Sequence, residues 1–305
     1  MALVGACSRQ VPESPGEPPA PASPAAAATS LRTPAGRPAV RPDFETVTAV
    51  TRALGPNASQ STCGPYRLIS DAESRDLGAI CRRLAIDLDA TYEERFGIRP
   101  SGPADGVVAL FGTAEAFRQL AAETGRLSVG YEAFTLAGRG LTALSVENLP
   151  TERLVTVLAH ELAHLVHRRA FGGGLDPWLS EGLADAIGDS ATTSGFADLV
   201  GLVGVEPLAH RLRQAHDAER TEPVAAVLAK TRETFDRETV SYDYETSALL
   251  VRYLLLDSEL GPRFKKVLAE LAVGELCPTE CVLETLAVEP EELDRKFRAW
   301  LRTFP

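Results

Sequence analysis

His160-Glu161-Leu162-Ala163-His164 constrains the fold of this chain more tightly than any other stretch. In a helix, residues four apart share a face, so the two imidazoles would project side by side, with Glu161 about 100° around the axis from His160. A helix of this kind offers two nitrogen ligands and a neighbouring carboxylate to a metal ion, whereas in a plain amphipathic helix the same histidines would be merely buried or solvated. The surrounding residues read as a helix with defined ends. Leu154, Val155, Leu158, Leu162, Leu165 and Val166 recur at helical spacing between Thr151 and Arg169. Thr151 reads as the N-cap, Arg168 and Arg169 occupy the last turn, and Gly172-Gly173-Gly174 stops the helix.

A catalytic zinc takes three protein ligands and keeps a further position for water. The third ligand is expected in Trp178-Leu179-Ser180-Glu181-Gly182-Leu183-Ala184-Asp185. Asp176-Pro177 reads as an N-cap followed by proline at the first helical position, which puts Glu181 and Asp185 one turn apart on a second helix. Glu181 is then the third ligand. Asp185 is placed to accept the other ring N–H of a ligating histidine, or else is an ordinary surface carboxylate.

His-Glu-Leu-Ala-His followed by Trp-Leu-Ser-Glu-Gly-Leu-Ala-Asp resembles the gluzincin metallopeptidases, and among them the bacterial peptidase MA-like families, in which a W-x-x-E-G-x-A segment carries the third zinc ligand. Gly106 to Phe111 with Ala114 to Phe117 is similar to that family's early strand and helix, and Tyr244 to Ser247 with Val251 to Leu254 to its tyrosine-containing helix, so the resemblance spans roughly residues 65 to 257. Where many relatives carry Tyr or Phe shortly after the third ligand, this chain has Ala186-Ile187-Gly188. The resemblance implies an α+β, zincin-like domain with a small mixed sheet, an active-site helix and a helical carboxy-terminal half.

It also implies a chemistry. Zn2+ held by His160, His164 and Glu181 would lower the pKa of a water from its bulk value towards about 7, with Glu161 taking its proton during attack on a carbonyl and passing it to the leaving amine. Gluzincins commonly add an oxyanion donor from a later helix, for which Tyr244 is the first candidate and Tyr242 the second; each equally fits a half-buried core position. His210 and His216, in an Arg-rich stretch, read as solvated surface histidines, and His167 beside Arg168 reads the same way. Leu141 to Val146 is expected as a strand, which in this family is usually an edge able to pair with an extended peptide, although an internal strand fits the same residues. The expected activity is hydrolysis of peptide or protein substrates. A non-catalytic zinc-binding scaffold and a zinc amidase acting on cell-wall amides are the alternatives.

Nine of the 21 prolines lie in residues 1–42, with an Ala-Ser-Thr-rich run from Ala20 to Ser30, so this segment reads as a disordered tether and 43–305 as the folded domain. Val4-Gly5-Ala6-Cys7 is similar to a lipoprotein cleavage site, but too little precedes Cys7 for a complete signal; a truncated signal with a lipidated membrane tether and an ordinary terminal cysteine are both open. Expected elements are a strand at Tyr66 to Ser70, a helix from Ala72 to Phe96, a strand and helix between Val107 and Thr124, and helices to the end, including Glu291 to Arg302. The formal charge of -11 argues against a nucleic-acid partner. Cys63, Cys81, Cys277 and Cys281 are an even set suited to an oxidising, extracytoplasmic compartment, with Cys277–Cys281 and Cys63–Cys81 as the expected bridges and four free thiols as the alternative. No later apolar run approaches the roughly 18 residues of a membrane span.

Overall fold

The computed structural model describes residues 44–72, 75–102, 105–125, 132–172, 175–193, 205–235, 240–274 and 279–304. The proline-rich opening to residue 42, Cys7 and Cys277 lie outside the described residues. Among the described residues, five strands form one mixed sheet in the order β1 (Ser59–Cys63), β2 (Tyr66–Ser70), β3 (Val107–Phe111), β5 (Leu141–Ser145), β4 (Ala133–Leu136). The inner strands β2, β3 and β5 run parallel, and β1 and β4 add antiparallel on either side. β3 is apolar and buried at every residue, as a central parallel strand covered on both faces must be. Its alternate side chains serve two cores: Val108 and Leu110 face one, while Val107, Ala109 and Phe111 face the other.

Helices cover both faces. α1 (Phe44–Leu54) and α3 (Ala114–Glu123) contribute to the smaller core, whereas α2 (Arg75–Phe96) and α4 (Thr151–Phe171) close the larger one. The larger core continues through α5 (Pro177–Thr193), α6 (Val205–Asp217), α7 (Val224–Leu228), α8 (Arg232–Phe235), α9 (Val240–Leu256), α10 (Leu260–Ala272), α11 (Thr279–Leu286) and α12 (Pro290–Leu301). The architecture is α+β with a small mixed sheet and many helices. Among the described residues, no helix is long and apolar enough to cross a membrane.

Several expectations change. β5 lies between β3 and β4, buried along its length, so of the two readings of this strand, the family's edge and an internal strand, the internal one holds. The margin on that side, among the described residues, is β4, whose four residues are too few to show a clear alternation. α1 and β1 were not expected either. Thr151 is the first residue of α4 rather than its cap; Pro150 holds the cap position in extended backbone at φ -59°, ψ 146°. Cys63 at the end of β1 is bonded to Cys81 in α2, tying the sheet to a helix across 18 residues. Cys281 is disulfide-bonded.

Candidate metal centre

α4 ends at Gly172, a left-handed C-cap whose N–H donates to the Arg168 carbonyl at 3.0 Å. α5 opens at Pro177, and the Asp176 carbonyl accepts from the N–H groups of Leu179 and Ser180 at 3.1 and 2.9 Å. The two helices pack against each other, and α5 packs also on α9. Gly182 permits that second contact. A β-carbon there would lie 2.5 Å from both the Ser247 carbonyl oxygen and Val251 Cγ2, so only glycine can follow Glu181 at this separation.

This packing brings His160, His164 and Glu181 together. Their candidate ligand atoms all lie within 4.8 Å of one another. Nε2 of His160 is 3.2 Å from Nε2 of His164, and Glu181 Oε2 is 3.4 and 3.3 Å from the same two nitrogens. His160 is partly buried, and His164 and Glu181 are buried. Two imidazole nitrogens and a carboxylate oxygen converging in a buried site form a group able to hold a metal ion.

The remaining ring nitrogens have their own neighbours. Asp185 Oδ1 lies 3.0 Å from His160 Nδ1, and since a carboxylate can only accept, Nδ1 carries the proton and Nε2 faces the triangle. His164 Nδ1 is 3.2 Å from Ser180 Oγ. The buried Arg252 of α9 donates to the Asp185 carbonyl at 3.0 Å and the Ala248 carbonyl at 3.0 Å, joining α5 to α9. Burial pulls the His160 pKa down, but Asp185, Glu181 and Glu161 outweigh it and hold it well above the ordinary value. For Glu181, burial pushes upward and the His164 and His160 rings prevail, holding it well below the carboxylate range.

Glu161 occupies the sheet side of α4. Its Oε2 accepts from the Thr135 hydroxyl of β4 at 2.6 Å, and Thr135 Oγ1 lies 2.7 Å from Thr142 Oγ1, its directly paired residue on β5. On the other side Arg232 of α8 donates to Glu181 Oε1 at 2.6 Å. Thr135, Ser180, Arg232 and Arg252 were not singled out from sequence as parts of the site. Two of them had a signal: Ser180 precedes Glu181 within the second motif, and Arg252 lies in the segment similar to the tyrosine-containing helix.

Tyr244 is half-buried, its ring edge-on to Phe235 at 5.1 Å between centroids, and Tyr242 is half-buried against the larger core. His210 is exposed, with Arg213 Nη2 2.7 Å from its Nδ1 and Gln214 Nε2 2.8 Å from its Nε2. The other two histidines are not solvated. His167 is buried 2.5 Å from the Tyr92 hydroxyl, and its pKa is held well below the usual value by burial and the nearby His164. His216 is buried beside Thr221, and burial lowers its pKa to about 4. Tertiary packing covers both rings, which their polar neighbours in sequence concealed.

No protein-family model matches this chain, and none of the curated proteins compared with it matches either.

Proposed function

We propose that this chain is a zinc-dependent metallopeptidase of the gluzincin type with a zincin-like fold, cleaving peptide or protein substrates outside the cytoplasm. The observation that carries the reading is the ligand triangle. Zinc bonds of about 2.0–2.1 Å at tetrahedral angles set ligand atoms about 3.3–3.4 Å apart. The three edges here measure 3.2, 3.4 and 3.3 Å. Two histidines and a glutamate are also the ligand set of a familiar class of catalytic zinc, and hydrogen-bonded outer nitrogens such as that of His160 are the usual support for it.

When bound, zinc supplies a Lewis acid that polarises a carbonyl and makes water a competent nucleophile near neutral pH. Glu161 accepts the proton of the attacking water and delivers it to the leaving amine, its carboxylate held by the Thr135 hydroxyl. Tyr244 is the proposed donor to the developing oxyanion. The Cys63–Cys81 bond supports an oxidising compartment.

Metal content tests the site whatever the substrate. Purified protein is expected to carry about one zinc per chain, lost in a His160→Ala, His164→Ala double variant. A wild type that stays zinc-free after refolding with Zn2+ ends this reading. Zinc retained without cleavage of either casein or cell-wall fragments would replace it with a zinc-binding scaffold.

A further inference from the structure

Glu181 has two carboxylate oxygens, and each has a different neighbour. Oε2 faces the two imidazoles at 3.4 and 3.3 Å, while Oε1 accepts from Arg232 Nη1 at 2.6 Å. The glutamate side chain is 5% exposed and the arginine side chain 46%, so the half-exposed guanidinium pairs with a carboxylate that is almost fully buried. An ordinary surface ion pair contributes little because both partners remain hydrated. Here the acceptor is buried, and the guanidinium stays charged at every accessible pH.

The arginine is mounted on an anchored segment. Two residues before it, Lys230 pairs with Glu222 at 3.0 Å and with the buried Asp243 at 2.8 Å. Three residues after it, Phe235 is fully buried against Tyr244. Thr231 N–H donates to Thr234 Oγ1 at 3.0 Å, closing the turn that carries the side chain.

A glutamate that chelates through both oxygens takes up one coordination position more than a glutamate ligating through one, and a catalytic site needs a position kept for water. We infer that Arg232 is a positioning residue of this metal centre, holding Oε1 so that Glu181 ligates through Oε2 alone. The role rests on the proposed zinc site.

Full-length protein loaded with Zn2+ is read by X-ray absorption, and the Co2+-loaded protein by the intensity of its visible d–d bands, with circular dichroism reporting the fold. The expected wild-type shell is about four nitrogen and oxygen atoms, counting one water, rising to about five in Arg232→Met with weaker Co2+ bands. Arg232→Lys, which keeps a charged donor, is expected to restore about four. An unchanged shell in folded Arg232→Met overturns the role of the arginine and leaves the zinc site standing. A wild type that binds no zinc overturns both. Should Arg232→Met fail to fold, Arg232→Ala, which also lacks a donor, replaces it, and a wild-type shell there overturns the role equally.

Discussion

The two flanks of α4 treat their glutamates differently, although Glu161 and Glu181 are almost equally hidden, at 8% and 4% exposure. On the sheet side, Glu161 meets a neutral hydroxyl from Thr135, backed by Thr142 on the adjoining strand. On the helical side, Glu181 sits between two imidazoles and a guanidinium. A neutral donor orients a carboxylate without adding positive charge, whereas a ring of cationic or metal-binding groups stabilises its ionised form. One residue type on adjacent helices thus meets two environments of similar burial, and the proposed reading gives the two glutamates different tasks.

Exchanging each carboxylate for an amide tests that division most severely. Glu181→Gln is expected to lose bound zinc and all hydrolysis together, as metal analysis beside a casein assay would show. Glu161→Gln is expected to keep its zinc while hydrolysis falls by about 10²–10⁴-fold; metal loss there would erase the contrast. The next effect concerns the helical flank alone. Gly182→Ala drives a methyl into the Ser247 carbonyl and Val251, which should lower stability by about 1–3 kcal/mol in urea unfolding. An unchanged midpoint would mean that α5 and α9 separate easily and that the support of Glu181 is soft.

Thr135→Val preserves the strand-favouring branched shape but removes the donor to Glu161, so a smaller loss of about 1 kcal/mol is expected, with zinc content unchanged. Thr135→Ser should recover most of it. The smallest signal is protonic. In the metal-free protein the raised His160 pKa means that its pairing stabilises the fold fully below the ordinary histidine value and ceases to do so as pH rises through the folded value. The lowered Glu181 pKa works oppositely: its contribution is present above the ordinary carboxylate value and is lost as pH falls through the folded one. Near pH 7 a ligating His160 must shed its proton, so zinc addition in weak buffer should release about one proton per ion to an indicator dye. No release would show that His160 is already neutral.

Much of the candidate metal centre could be read along the chain because helical spacing is a local rule. His160 and His164 lie one turn apart, as do Glu181 and Asp185, and the glycine and proline between the two helices mark the intervening turn. β2, β3, α3 and α12 were legible for similar reasons, from short apolar runs or a 3.6-residue stripe. β4 was not, since four residues carry little periodicity, and the place of β5 as edge or internal strand stayed open because strand order is not a local property. Arg232 stands in a charged stretch indistinguishable from any solvated surface, and His167 and His216 gave no sign that distant helices would bury them.

The sequence by itself determined which side chains share a helical face, where α4 ends and α5 begins, and that a glycine follows Glu181. Only the tertiary structure decided that the two faces converge to within 3.4 Å, that a hydroxyl rather than a cation meets Glu161, and that an arginine 51 residues downstream covers Glu181. The physical reason is range: helical phase is set by backbone geometry over a single turn, whereas the environment of a buried carboxylate is set by segments whose approach depends on the packing of the whole core.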